Sequence, residues 1–219
     1  MLFLFDIDGT LVDTGGAGLQ ALEETNLSLF QAPGPPLDLA GATDLGIVDY
    51  IHRHFGIEAS DKSINRYFDL YHQRLEWNLS RGGFPGKVLS GVHDLLGKLA
   101  ARPGSTLALL TGNTQAGAAA KMRHFQLDHH FPFGAYGSDH ADRNQLGHIA
   151  LERAHTHTGK HFQPEEIWVI GDTPKDIACA HAIGARCLAV ATGRFTVEEL
   201  TAFGADHTVE SLDLISNWI

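Results

Sequence analysis

Four short apolar runs, Leu2 to Phe5, Thr106 to Leu110, Ile167 to Ile170 and Arg186 to Val190, are separated by longer stretches of helical periodicity. A run that is apolar at nearly every position has no polar face to turn toward water, so each reads as a strand covered on both sides. Such strands alternating with helices predict an α/β fold, a parallel sheet with helices on both faces. A weaker strand includes Thr208 and Val209. Between the runs, Val92, Leu95, Leu96 and Leu99 recur at i, i+3, i+4 and i+7 behind Ser90, which reads as an N-cap. The same logic starts another helix at Thr114 and runs it toward Phe125.

One long segment breaks the alternation. From about Gly15 to Gly86 no buried strand is evident, whereas Ile47, Val48, Ile51 and Phe55 form one helical stripe and Ile64, Tyr67, Phe68, Tyr71, Leu75 and Leu79 form another. Stripes of this width are core-facing surfaces rather than a cofactor or partner groove. The segment is expected to be an all-helical subdomain, residues 15–86, inserted into a core made of residues 1–14 and 87–219. Gly15-Gly16 and Gly82-Gly83-Phe84-Pro85-Gly86 mark its edges with compositions suited to turns and hinges.

The chain has 219 residues, enough to bury a core without disulfide or metal staples, and 16 Lys plus Arg against 26 Asp plus Glu give a formal net charge of −10. An acidic balance argues against nucleic acid and anionic lipid as partners, though it leaves room for a locally positive pocket. Cys179 and Cys187 have neither metal-ligand spacing nor the look of a secreted framework, and read as small buried residues in a reducing compartment. The start, Met1-Leu2-Phe3-Leu4-Phe5, lacks a basic region and meets Asp6 and Asp8 before an export signal takes shape. The uncharged stretch from Pro103 to Ala120 carries Asn113, Gln115, several Thr and three Gly, which a spanning helix would not readily tolerate. A cytoplasmic location is expected.

The chemistry-bearing residues cluster where the apolar runs end. The first exits through Asp6-Ile7-Asp8-Gly9-Thr10, placing two carboxylates at the carboxyl end of a strand, where open α/β sheets bind ligands. Their repulsion is relieved by a divalent cation or by a proton held on one of them. A polar turn, with Asp8 and Thr10 bonded to local backbone and Gly9 left-handed, accounts for the same residues. The second run ends in Leu110-Thr111-Gly112-Asn113-Thr114, whose hydroxyl and free amides ahead of a helix suit a phosphate group; ordinary capping by Thr114 suits them too. The third ends in Gly171-Asp172-Thr173-Pro174-Lys175-Asp176. There Thr173 as N-cap, Pro174 at the first helical position and Asp176 three beyond the cap make a capping-box-like start. Asp172 stays outside that explanation, and a hard cation is its natural partner.

Taken together, these three strand ends make the chain resemble the haloacid dehalogenase superfamily of hydrolases. Within it, the sequence is similar to the phosphoglycolate-phosphatase-like branch, which has a Rossmann-like core and a helical C1-type cap inserted after the first motif. The likeness covers essentially the whole chain. It implies that Asp6 attacks the phosphorus of a phosphate monoester to form an aspartyl-phosphate, and that Asp8 protonates the leaving oxygen and later activates water. It further implies a magnesium ion held by the Asp6 side chain, the Asp8 carbonyl and Asp172, with Asp176 assisting directly or through water. Thr111, Gly112 and Asn113 would bind the transferring phosphoryl group, and Thr43 and Asp44 in the cap would face the substrate unless a helix N-cap accounts for them.

The third motif departs from the pattern. Relatives carry a lysine there, and here the stretch reads Asp139-His140-Ala141-Asp142-Arg143-Asn144. Arg143, 29 residues before Asp172, is the best substitute for both catalysis and phosphate binding, against a surface ion pair with Asp139 or Asp142 or a helix-start contact; Lys121, 51 residues before, reads as solvating a helix face, although it could reach the site. His155, His157 and His161 lack an acidic or Cys partner and are expected at exposed helix ends rather than on a metal. The implied activity is a magnesium-dependent phosphatase acting on a small phosphorylated metabolite, as a monomer or homodimer. A beta-phosphoglucomutase-like phosphomutase is the alternative, and a haloacid dehalogenase or a phospho-acceptor signalling module fits less well.

Overall fold

The structure, a computed structural model, describes residues 1–215. In chain order the elements are β1 (Leu2–Phe5), β2 (Val12–Asp13), α1 (Ala17–Phe30), α2 (Asp44–His54), α3 (Asp61–Arg81), β3 (Lys87–Val88), α4 (Val92–Ala101), β4 (Thr106–Thr111) and α5 (Gln115–His124). They continue as β5 (Gly134–Tyr136), α6 (Arg143–Thr158), β6 (Ile167–Gly171), α7 (Pro174–Ala182), β7 (Arg186–Val190), α8 (Val197–Ala202) and β8 (His207–Val209).

Six strands form one parallel sheet in the order β5-β4-β1-β6-β7-β8. The continuous apolar runs fill both of its faces, because successive side chains of a strand point to opposite sides. Phe3, Phe5, Leu107, Leu109, Trp168 and Ile170 pack with the α4 stripe on one side. Leu2, Leu4, Ala108, Leu110 and Val169 pack under Leu146, Ala150 and Ala154 of α6 and Ile177 of α7 on the other. Cys179 and Cys187 are free and buried in this second layer. No helix among the described residues is long and apolar enough to cross a membrane.

From β1 the chain winds outward through β4 to β5, then returns to the other side of β1 with β6 and continues outward through β7 to β8. The winding therefore reverses between β1 and β6, and a crevice opens there at the carboxyl ends of the strands. Helices α1, α2 and α3 lie outside the sheet and share their own apolar cluster, with Ala17, Leu22, Ile47, Ile51, Tyr67, Tyr71 and Leu75 at its centre. Where the chain leaves and rejoins this layer, β2 and β3 pair as two short antiparallel strands, Val12 opposite Val88 and Asp13 opposite Lys87.

Two local features differ from expectation. Helix α4 is capped by Gly91 in the left-handed region (φ 80°) rather than by Ser90, because a side chain at position 91 would collide with the backbone of Leu212 and Asp213. Strand β5, three residues at the sheet edge, and the β2–β3 pair are too short to carry a hydrophobic pattern.

Candidate active site

The register of β1 and β6, with Phe5 opposite Ile170, brings Asp6 and Gly171 level at the end of the sheet, and the Asp6 amide donates to the Ile170 carbonyl at 2.9 Å. Asp172 follows immediately. Asp6, Asp172 and Asp176 are all buried, and each offers a carboxylate oxygen within 4.8 Å of the others. Burial drives the Asp172 carboxyl up to about 8, with Asp176 and Asp6 adding to the rise. Burial likewise raises Asp6 to about 6; Arg143 pulls it back, while Asp176 and Asp8 push it further up. Gly9 (φ 78°) and Gly193 both face Asp172, and a Cβ on either would run into its carboxylate.

Arg143 is the first residue of α6, behind the N-cap Asp142, and is buried rather than paired on the surface. Its Nη2 lies 3.3 Å from Asp6 Oδ1, pairs closely with Asp176 Oδ1 and donates to the Leu110 carbonyl at 3.3 Å. Burial alone would lower its pKa, but Asp176 and then Asp6 outweigh it, so the guanidinium stays charged. Its Nε is buried without a hydrogen-bond partner among the described residues. Asp139 is engaged elsewhere, by Arg153.

Asp176 performs two tasks at once. Its Oδ2 accepts from the Thr173 amide at 3.0 Å and the Thr173 hydroxyl at 2.7 Å, closing the expected capping box, and its Oδ1 is the oxygen paired with Arg143. With both oxygens engaged, Asp176 is better placed to orient Arg143 and reach an ion through water than to bind one directly.

Asp8 leaves the strand two residues after Asp6 with its side chain 43% exposed. Lys121 Nζ lies 2.8 and 2.7 Å from its two oxygens and 2.6 Å from Asn113 Oδ1. Asn113 Nδ2 in turn donates at 2.8 Å to Asp8 Oδ2 and to Thr111 Oγ1. The expectation that Lys121 solvates a helix face is therefore corrected: it is 4% exposed, because α5 lies between the sheet and the helical layer and turns it inward. Thr111 is wholly buried and its hydroxyl accepts from Asn113, whereas Gly112 and Asn113 line the cavity.

The helical layer closes over this floor. Gly41 accepts from Arg143 Nη1 at 3.3 Å, and the Thr43 hydroxyl donates to the Ala141 carbonyl at 2.6 Å while accepting from the Gly46 amide, as an N-cap does. The Asp44 amide donates to the Gly112 carbonyl at 2.6 Å, and its Oδ2 accepts from the Thr114 amide at 2.7 Å. Burial raises the Asp44 carboxyl to about 6 against the pull of Lys121. His72 Nε2 lies 2.7 Å from the Thr114 hydroxyl. Between the two layers is a cavity of about 470 Å³ that reaches Asp6, Asp8 and Asp172. Away from it, the exposed rings of His155 and His161 stack on each other at 3.8 Å and His157 lies against Phe133.

The donor set suits a divalent cation. All three acids of the buried cluster present hard oxygen, and Arg143 is the one cation paired with them, so an ion is the counter-charge that would let all three ionise. Glycine at 9 and 193 keeps side chains away from the Asp172 oxygens.

Known proteins resemble this chain in sequence and in fold. The chain is 28% identical over 221 residues to the phosphoglycolate phosphatase of Chromobacterium violaceum, covering 97% of this chain and 95% of that one. It is also 28% identical over 185 residues to the tyrosine-protein kinase PtkA of Mycobacterium tuberculosis, over 83% of this chain and 60% of the kinase. Among solved structures, CbbY from Rhodobacter sphaeroides in complex with phosphate shares the fold with a TM-score of 0.78 at 22% identity, over 98% of this chain and 96% of that one. A haloacid dehalogenase-like hydrolase from Streptococcus pneumoniae does so with a TM-score of 0.66 at 21% identity, over 98% and 95%. The family model for haloacid dehalogenase-like hydrolases matches residues 3–190, and the chain belongs to that family.

Proposed function

We propose that this protein is a magnesium-dependent phosphatase that hydrolyses a small phosphate monoester through an aspartyl-phosphate on Asp6. The carrying observation is the pairing of two unlike carboxylates: Asp6, buried beside Asp172, Asp176 and Arg143, and Asp8, half-exposed and held by Lys121 and Asn113. A divalent ion bound by Asp6, Asp172 and the Asp8 carbonyl would neutralise charge on the phosphoryl oxygens and shield the nucleophile from its anionic target.

In the first step an Asp6 oxygen forms a bond to phosphorus as the bond to the leaving oxygen breaks, and Asp8 delivers its proton to that oxygen. In the second, Asp8 takes a proton from water, which attacks phosphorus and returns Asp6 as a carboxylate. Arg143 stabilises charge on the phosphoryl group, and Thr111, Gly112 and Asn113 at the end of β4, the last two lining the cavity, complete the phosphoryl site in this reading. Lys121 and Asn113 fix the Asp8 carboxylate toward the cavity. The PtkA likeness indicates that this scaffold serves more than one phosphoryl acceptor. Water is favoured here because Asp8, positioned for proton transfer, opens onto a cavity of about 470 Å³, a size suited to a small ester.

The same reading treats residues 15–86 as a cap hinged on a core of residues 1–14 and 87–219, with the phosphoglycolate phosphatase as the nearest functional analogy among the relatives named. The test is phosphate release from a panel of monoesters with and without Mg²⁺, with Asp6→Asn as control. Release that persists in Asp6→Asn, or that is unaffected by chelation, overturns the proposal.

A further inference from the structure

The cavity has two chemically distinct halves. Its floor carries Asp6, Asp8, Asp172, Arg143, Lys121 and Asn113, and the residues that line it from the helical layer are mostly apolar, Leu19, Leu22, Leu37, Leu39, Ile47 and Tyr71, with Asp38 and Asp44 beside them. A substrate held with its phosphoryl group on the floor must place its leaving group against this layer.

Among the described residues three cations line the cavity, and the two that are buried lie on the floor, where the phosphoryl group sits. Arg143 is held by Asp6 and Asp176, and Lys121 by both oxygens of Asp8. Arg194, at the solvent-exposed rim, is 3.1 Å from Asp38. Asp44, an acid of the helical layer that lines the cavity, repels a second anion, and its neighbour Tyr71 is buried with its hydroxyl pushed well above the usual range, so it offers a neutral donor. A carboxylate or second phosphate on the leaving group would lose its hydration against apolar side chains and meet no buried cation there, the rim pair of Arg194 and Asp38 being exposed and screened by water.

We propose that the natural substrate is the phosphate monoester of an uncharged, largely apolar alcohol or phenol, and that esters with an anionic leaving group are poor substrates. This rests on the phosphatase reading and separates the chain from the phosphoglycolate phosphatase it resembles, whose substrate carries a carboxylate on the leaving group.

The experiment compares kcat/KM at saturating Mg²⁺ for phenyl phosphate and butyl phosphate against phosphoglycolate and a sugar bisphosphate. The neutral esters should lead by about tenfold or more, the scale on which a pocket separates substrates by fit. Phosphoglycolate or the bisphosphate matching or exceeding them overturns the proposal. So does activity on those anionic esters that is lost in Arg194→Ala, since that would make the rim arginine a receptor. Binding of the same four compounds to Asp6→Asn, measured by calorimetry, reads the preference without turnover and should rank them identically. Absence of phosphate release with that ranking intact would remove the phosphatase reading alone; release with the ranking reversed would remove this inference alone.

Discussion

Replacing Arg143 tests how the buried half of the site is held together. The guanidinium is 6% exposed and joins three parts of the molecule: Asp6 at the end of β1, Asp176 at the start of α7, and the Gly41 carbonyl of the layer above. Arg143→Ala leaves two buried carboxylates without their cation, a change that costs about 3–5 kcal/mol of folding stability. On the reaction itself, loss of a donor aimed at developing charge costs about 10²–10³ in kcat. Arg143→Lys keeps the charge, but a single ammonium cannot span Asp6, Asp176 and Gly41 together. It should recover most of the stability, while KM rises because the contact to the upper layer is lost. Lys121→Ala is the internal comparison. Asp8 is 43% exposed, so water takes over much of the work of its lost partner, and the expected loss is roughly tenfold, or about 1.4 kcal/mol. The assay is kcat and KM on a chromogenic monoester at saturating Mg²⁺, with urea unfolding run in parallel. Arg143→Ala slowing turnover less than Lys121→Ala would refute the assignment of Arg143 to the phosphoryl side.

Three further outcomes follow from the same geometry. Asp172 and Asp6 are carboxyls held above their usual range by burial, so the folded state keeps protons that the unfolded chain releases. The contribution of these two carboxyls to the stability of metal-free protein is therefore fully present below about pH 4 and is lost as pH rises through about 6 and then about 8. A thermal midpoint whose dependence on pH over that interval is unchanged in Asp172→Asn contradicts this. Gly9→Ala puts a methyl group into the Asp172 carboxylate at a left-handed backbone position, and should weaken Mg²⁺ binding by about 10–100-fold in calorimetry, as disturbed support of a ligand does. Unchanged affinity would mean that Asp172 is not a ligand. Asp44→Ala removes the carboxylate that receives the Thr114 amide across the two layers, and should cost about 1 kcal/mol in urea unfolding with faster amide exchange at Thr114.

How far the sequence disclosed this site depends on what kind of contact each residue makes. Strands β1, β4, β6 and β7 were legible because burial on both faces leaves an unbroken apolar run, and the acids at their ends inherit their places from the sheet. Asp176 was legible as a capping residue, since Thr173-Pro174-Lys175-Asp176 is a local pattern. That its second oxygen holds Arg143 was not, because the partner comes from a helix 33 residues away. For Lys121 the favoured place, a solvated helix face, gives way to the alternative, contact with the site, for a different reason. Helix α5 is Gln-Ala-Gly-Ala-Ala-Ala-Lys over its first seven residues, a composition with almost no polar and apolar contrast, so periodicity assigns it no inner face and a lysine defaults to solvent. A signal was present nonetheless. Gly117, Ala118 and Ala120 are small enough for close approach, and Lys121, three and four residues on from Ala118 and Gly117, shares their inward face. Once inside, an ammonium needs an anion, and Asp8, exposed toward the same space, is the one that β1 delivers. The consequence is a division of labour set by burial: the permanently charged guanidinium stabilises the dry side around Asp6, and the ammonium serves the wet side around Asp8.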